Sequence, residues 1–155
     1  MHIRQAHPED IPLLSEFWYD QMAIWQQNNR LLRLLPDARD RWEAATSEQL
    51  QSEAIVFLTA EIENTLVGGI IGEIVPNLPG VAPQQIGLIR DLIVDNHSEL
   101  GRGVGRELLE ACITVLRERG IQQVQVRIPT QAAVQQAFWR GVGASNGMDI
   151  FWMVI

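Results

Sequence analysis

The chain has 155 residues, 46% of them hydrophobic, enough for one domain with a full core. Its formal net charge of −7 works against the broad basic surface that phosphate neutralisation needs, so nucleic acid is not an expected partner. No apolar run approaches a bilayer span, and Met1 to Asp10 carries charges where a signal peptide needs an apolar core, so the expectation is a cytoplasmic protein without membrane association.

No repeat, low-complexity tract or linker divides the sequence, which reads as a single domain over residues 1–155. Met1 to Gln5 is a short strand, and Pro8-Glu9-Asp10 then starts a helix, with proline and acids suited to its first turn. That helix runs to about Gln27 with Trp18 and Trp25 on one stripe, and a second follows from about Asp37 to Gln51. Ala54 to Ile62 and Leu66 to Val75 are β-rich and form a hairpin through Glu63-Asn64-Thr65. The prolines of Pro76 to Pro83 exclude regular structure there, and Gln85 to Asp95 is the next strand. A helix from about Gly103 to Arg119 buries the face made by Val104, Leu108, Ala111, Cys112, Val115 and Leu116, and Gly120 ends it. A strand at Gln122 to Ile128, a short helix at Thr130 to Arg140 and a final strand at Asp149 to Ile155 complete the order.

The chemistry concentrates in the passage from strand to helix. Glycines at 101, 103 and 105 let the backbone turn sharply and approach a ligand, and the first N–H groups of the following helix point outward. With the helix dipole and the charges of Arg102 and Arg106, such a turn suits a pyrophosphate. A dinucleotide-binding fingerprint would need a glycine at 106 or 108 and an acid at the end of the next strand, where the chain has Arg106, Leu108 and Gln122 to Arg127. The single Cys112 falls on the apolar helical face, and the histidines have no metal-ligand spacing, so no metal is expected.

Leu100-Gly101-Arg102-Gly103-Val104-Gly105, its preceding strand and Ala137-Phe138-Trp139-Arg140-Gly141-Val142-Gly143-Ala144 together resemble the Gcn5-related N-acetyltransferases, in that family's order. The resemblance implies an α/β (α+β) fold with a central mixed, mostly antiparallel twisted sheet of about six to seven strands flanked by about four helices. It implies acetyl-coenzyme A as cofactor and a small-molecule or peptide amine as acceptor, and it is compatible with a homodimer. By the same resemblance the backbone of Leu100, Gly101, Arg102, Gly103, Val104 and Gly105 holds the pyrophosphate, with Arg106 adding charge beside it. Leu92, Ile93 and Val94 line the pantetheine arm together with Phe138, and the N–H of Leu92 or Ile93 donates to the thioester carbonyl. Leu100 stands where the family has Gln or Arg, Ala132 lies near its frequent asparagine, and Trp139 replaces a tyrosine that often protonates the departing thiolate. Indole is a donor only, so water or another side chain has that task.

Amine acetylation also calls for a base. Asp91 is the only carboxylate inside the cofactor strand and is the first candidate; Glu73 on the neighbouring strand is the second. His97, beside the glycine turn, is a further candidate contact for an anionic cofactor, and the acceptor is expected between the first two helices and the proline loop. A non-catalytic module that binds coenzyme A or an acyl-coenzyme A is the alternative function.

Overall fold

The computed structural model describes residues 1–97, 100 and 102–155. The chain order is β1 (His2–Gln5), α1 (Ile11–Asn28), α2 (Ala38–Gln49), β2 (Ile55–Ile62), β3 (Thr65–Pro76), β4 (Gln85–Val94), α3 (Val104–Glu118), β5 (Val124–Val126) and α4 (Ala133–Gly141). Pro8–Asp10 is a 3₁₀ turn, so the first helix begins tighter than the sequence implies. The strands lie side by side in sequence order; β1 to β4 are antiparallel and β5 joins β4 in parallel. Glu63 and Asn64, both at positive φ, make the tight turn between β2 and β3.

The mixed, mostly antiparallel sheet and the four helices match the expectation, but the described residues hold five strands, not six or seven. Asp149 to Ile155 was expected to be a strand, yet residues 145–155 form no helix or strand and are exposed. Strand propensity is local, whereas a strand needs a neighbour to supply its hydrogen bonds, and none pairs with this segment. Strand β5 is likewise shorter than Gln122 to Ile128 because its ladder with β4 involves only Gly87 to Ile89.

Two apolar layers enclose the sheet. On one face α3 buries Val104, Leu108, Leu109, Cys112 and Leu116 against Val56, Ala60, Val67, Ile70 and Ile89. On the other, Ile11, Leu14 and Trp42 of the first two helices pack on Ile55, Phe57, Ile71 and Ile93. Glycines let α3 settle directly on the sheet: a Cβ on Gly72 would stand 2.9 Å from Cys112 Sγ, and one on Gly68 would stand 2.6 Å from the Ile93 carbonyl oxygen. Burial pushes the Cys112 thiol up to about 12, which keeps it a packing residue rather than a nucleophile.

The entry to α1 is fixed by a charge cluster. Arg4 on β1 forms two parallel bonds to Asp10, of 2.8 and 2.9 Å, and also reaches Glu61 on β2. Asp10 in addition accepts the His7 N–H at 2.7 Å. Burial by itself raises the Asp10 carboxyl, but the bonds from Arg4 and His7 outweigh it and hold the group below its ordinary 3.8. Its contribution is therefore complete above that value and lost as pH falls through the lower folded value. Asp10→Asn is expected to lower stability by about 1–3 kcal/mol at neutral pH and to weaken the acid dependence below about pH 4; urea unfolding at neutral and acid pH measures both.

Candidate active site

Strands β4 and β5 pair through Gly87↔Val124, Leu88↔Gln125 and Ile89↔Val126, and then separate. At the same point the β3–β4 register steps from Gly72↔Ile89 to Ile71↔Asp91, leaving Arg90 as an extra residue in β4. Before this bulge the Gly87 N–H donates to Gln123 on the β5 side; beyond it the Asp95 N–H donates to Val67 on the β3 side. By the alternation of an antiparallel ladder, the amides of Leu92 and Val94 turn toward the gap left by β5, while that of Ile93 turns to β3. Side chains alternate too: Ile93 belongs to the core beneath α1 and α2, whereas Leu92 and Val94 pack on the α3 side.

The separation opens a cavity of about 400 Å³. Leu92, Val94, Phe138 and Trp139 form its apolar middle, with Phe138 and Trp139 in edge contact at 5.4 Å. One end is lined by Asn96, Gly103, Gly105 and Arg106, the other by Asp91, Arg90, Gln21 and Trp25.

At the glycine end, Gly103 has φ +82°, and among the described residues nothing lies within 4 Å of where a Cβ would stand. The first backbone bonds of α3 run from Arg106 and Glu107 to the Gly103 carbonyl, so the amides of Val104 and Gly105 precede them and have no intrahelical acceptor. A Cβ on Gly105 would meet Phe138 and Val94 at 3.7 Å, which places the helix start against the cavity's apolar middle. Arg102 and Arg106 are exposed. Positive dipole, outward amides and exposed cations make this end receptive to anions.

At the other end, Asp91 lies under α1 and α2 with its side chain 13% exposed. Arg90 Nε contacts Asp91 Oδ2 at 3.1 Å, and Arg90 Nη1 is hydrogen-bonded to Gln49 at the end of α2. Trp18 and Trp42 stack at 5.6 Å in the same layer. Burial raises the Asp91 carboxyl above the ordinary carboxylate value; attraction to Arg90 and the nearby indoles of Trp42 and Trp18 oppose it without prevailing, and Trp42 Nε1 does not reach hydrogen-bond geometry. The result is a carboxylate with enhanced proton affinity facing a cavity.

Of the residues expected from sequence, Asp91, Leu92, Val94, Gly103, Gly105, Arg106 and Phe138 are in the cavity wall. Ile93 is not: its side chain is in the core and its amide faces β3. Val104 does not line the cavity, its side chain being fully buried, and Leu100 and Arg102 are exposed outside the wall. Gly101 lies outside the described residues. Glu73, the second candidate base, pairs with Leu88 farther along the sheet and does not line the cavity. His97 Nε2 contacts Asp20 of α1 at 3.0 Å, linking the segment after β4 to that helix. Sequence reasoning missed Arg127, which lines the cavity; the alternation of Val124, Val126 and Ile128 around it was the available signal.

The fold is a mixed α/β sheet whose fourth and fifth strands part beside a glycine-turned helix. A sequence profile of the acetyltransferase (GNAT) family matches residues 16–144, and the chain belongs to this family. No curated protein matches the sequence. The fold is similar to that of a tetramutant of the BH1408 protein from Bacillus halodurans, at 20% identity over 100% of both chains with a TM-score of 0.82. It is similar to the aminoglycoside N-acetyltransferase AAC(6')-Iy solved with CoA, at 14% identity over 99% of this chain and 93% of that one with a TM-score of 0.77. A predicted acetyltransferase from Clostridium acetobutylicum solved with acetyl-CoA shares 15% identity over 99% of this chain and 95% of that one, with a TM-score of 0.73.

Because burial outweighs the Arg90 attraction, ionised Asp91 costs stability: the folded state is favoured most below the unfolded value near 3.8, and stability is lost as pH rises through the raised folded value. Asp91→Asn is therefore expected to melt no lower than the parent above neutral pH, and lower only in acid, where the parent's carboxyl is protonated. Thermal unfolding of both proteins across pH measures the difference.

Proposed function

We propose that the chain transfers an acetyl group from acetyl-coenzyme A to the amine of a small molecule, with Asp91 as the base. The observation that carries this reading is the cavity between the parted strands, which joins an anion-receptive glycine turn to a desolvated carboxylate. The residues present fit the cofactor. Gly103 leaves room for close approach of phosphate oxygens, and Arg106, with Arg102 nearby in the chain, supplies cationic charge. Leu92, Val94 and Phe138 offer an apolar passage of the kind a pantetheine arm requires, with the amides of Leu92 and Val94 available to its carbonyls. When bound, acetyl-coenzyme A supplies the acetyl group as an activated thioester.

This chain's residues then have distinct tasks. The edge amides of β4 orient and polarise a carbonyl without reorganisation, since the sheet already fixes them. Asp91, its proton affinity raised by burial, takes a proton from the acceptor amine directly or through water. Trp139 is 7% exposed in the cavity wall and does not titrate, so water or another side chain protonates the departing thiolate. The similarity in fold to an aminoglycoside N-acetyltransferase supports a small-molecule acceptor.

Acetyl-coenzyme A is expected to raise the melting temperature and NAD to leave it unchanged, because a ligand specific for the native state stabilises it by mass action. Gly103→Asp should abolish the acetyl-coenzyme A shift by placing a side chain and negative charge at the left-handed turn. In a free-thiol release assay over an amine panel, Asp91→Asn is expected to lower turnover by about 10²-fold or more while retaining the cofactor-induced shift. Tight cofactor binding without thiol release from any acceptor would instead establish a non-catalytic coenzyme A-binding module.

A further inference from the structure

We infer that the acceptor carries a carboxylate as well as the reacting amine, and that Arg127 is the residue that selects it; this rests on the acetyltransferase reading above. Among the described residues the cavity wall has three arginines, Arg90, Arg106 and Arg127, against one carboxylate, Asp91, although the chain as a whole has a net charge of −7. Two of these cations already have a task. Arg90 pairs with Asp91 and Gln49, and Arg106 stands at the glycine turn. Arg127 is left over: among the described residues it has no ion pair or hydrogen bond. Arg127 is exposed at the cavity wall, where its guanidinium is a bidentate donor matched in geometry to a carboxylate.

The position of Arg127 separates it from the phosphate end. Val126 and Ile128 pack against the α3-side core, so Arg127 between them turns away from α3, to the side of the sheet that also holds Asp91. Arg127 follows Val126, whose partner Ile89 immediately precedes the Arg90–Asp91 bulge, and it lines the same cavity as both. The glycine turn lies instead beyond Val94, three residues past Asp91 and so about 10 Å farther along the strand at ~3.3 Å per residue. An anionic group held by Arg127 would thus belong to a molecule approaching from the α1–α2 face, with its amine toward Asp91. Gln21 and Trp25 of α1 border this end of the cavity. A compact amino acid fits this pattern of one anion and one amine; an acceptor bearing amines alone leaves Arg127 unpaired.

The test compares amines that differ only in the carboxylate: phenylalanine with 2-phenylethylamine, tryptophan with tryptamine, and lysine with 1,5-diaminopentane, each in the thiol release assay with acetyl-coenzyme A. The wild type is expected to favour at least one carboxylated member by about ten-fold or more in kcat/KM, the scale of a hydrogen bond to a charged group. Arg127→Gln should remove that preference through KM, leaving the decarboxylated member within about two-fold and the acetyl-coenzyme A thermal shift intact. Arg127→Lys should retain part of it. Equal use of both members, a preference for the decarboxylated amines, or loss of the cofactor shift in Arg127→Gln would each overturn the inference while the acetyltransferase reading stands. If no acceptor releases thiol, calorimetry of the same pairs with the coenzyme A-saturated protein separates the two ideas. Binding of a carboxylated amine that Arg127→Gln abolishes would keep the carboxylate site and remove the acetyltransferase reading, and no binding would remove both.

Discussion

The extra residue at Arg90 is the constraint on which the site depends. Gly87 and Ile89 face α3, so without a bulge the alternation of β4 would send Asp91 into the same apolar layer. The bulge reverses the pleat and carries Asp91 to the α1–α2 face. It also reverses the sense of the hydrogen bonds, so that the amides of Leu92 and Val94 face the gap instead of β3. Because β5 stops pairing at the same level, those amides open onto a cavity. One inserted residue thus directs a carboxylate, two donors and an opening to a single place.

The second half of the site is positioned by close packing. Gly68 pairs with Val94 at the end of β4, and the space a Cβ would fill there is 3.2 Å from Val104 Cγ1. The first residue of α3 therefore rests on the sheet beside the last residue of β4. Gly105, one position on, lies against Val94 and Phe138. A bulky residue at Gly68 would lift the helix start away from the strand edge, so the anion-receptive turn and the edge amides keep their relation through an interior contact remote from any ligand.

Much of this was legible in the sequence because the signals are local. The apolar stripe of α3, the Glu63-Asn64 turn, the glycines of the helix start and the lone carboxylate of β4 each follow from residue type and spacing. What was not legible depends on pairing between distant segments. No residue type announces the bulge, so Ile93 was expected with Leu92 among the cofactor contacts although its amide and side chain both turn away. Glu73 shares a strand neighbourhood with Asp91 in sequence terms, but its register with Leu88 takes it out of the cavity wall. The segment Asp149 to Ile155 has strand composition without a strand to join. Arg127 was overlooked because β5 is only three residues long in its ladder, and the face of a residue just past a strand is set by what its neighbours bury.

The cover over Asp91 explains why its environment and its charge are in tension. Trp42 is buried in the core of α1 and α2 and stacks on Trp18, so the apolar layer that stabilises this face of the sheet is the same layer that strips water from the carboxylate. Arg90 returns part of the lost solvation, but it is itself held by Gln49 and offers Asp91 a contact through Nε, not a parallel pair of bonds. Arg4 and Asp10 show the contrast within the same molecule: there two parallel bonds and a backbone N–H more than compensate for burial, and the carboxyl is held low. A fully compensated Asp91 would be a stable ion and a weak base. The single contact with Arg90 leaves its proton affinity high where the cavity meets the sheet.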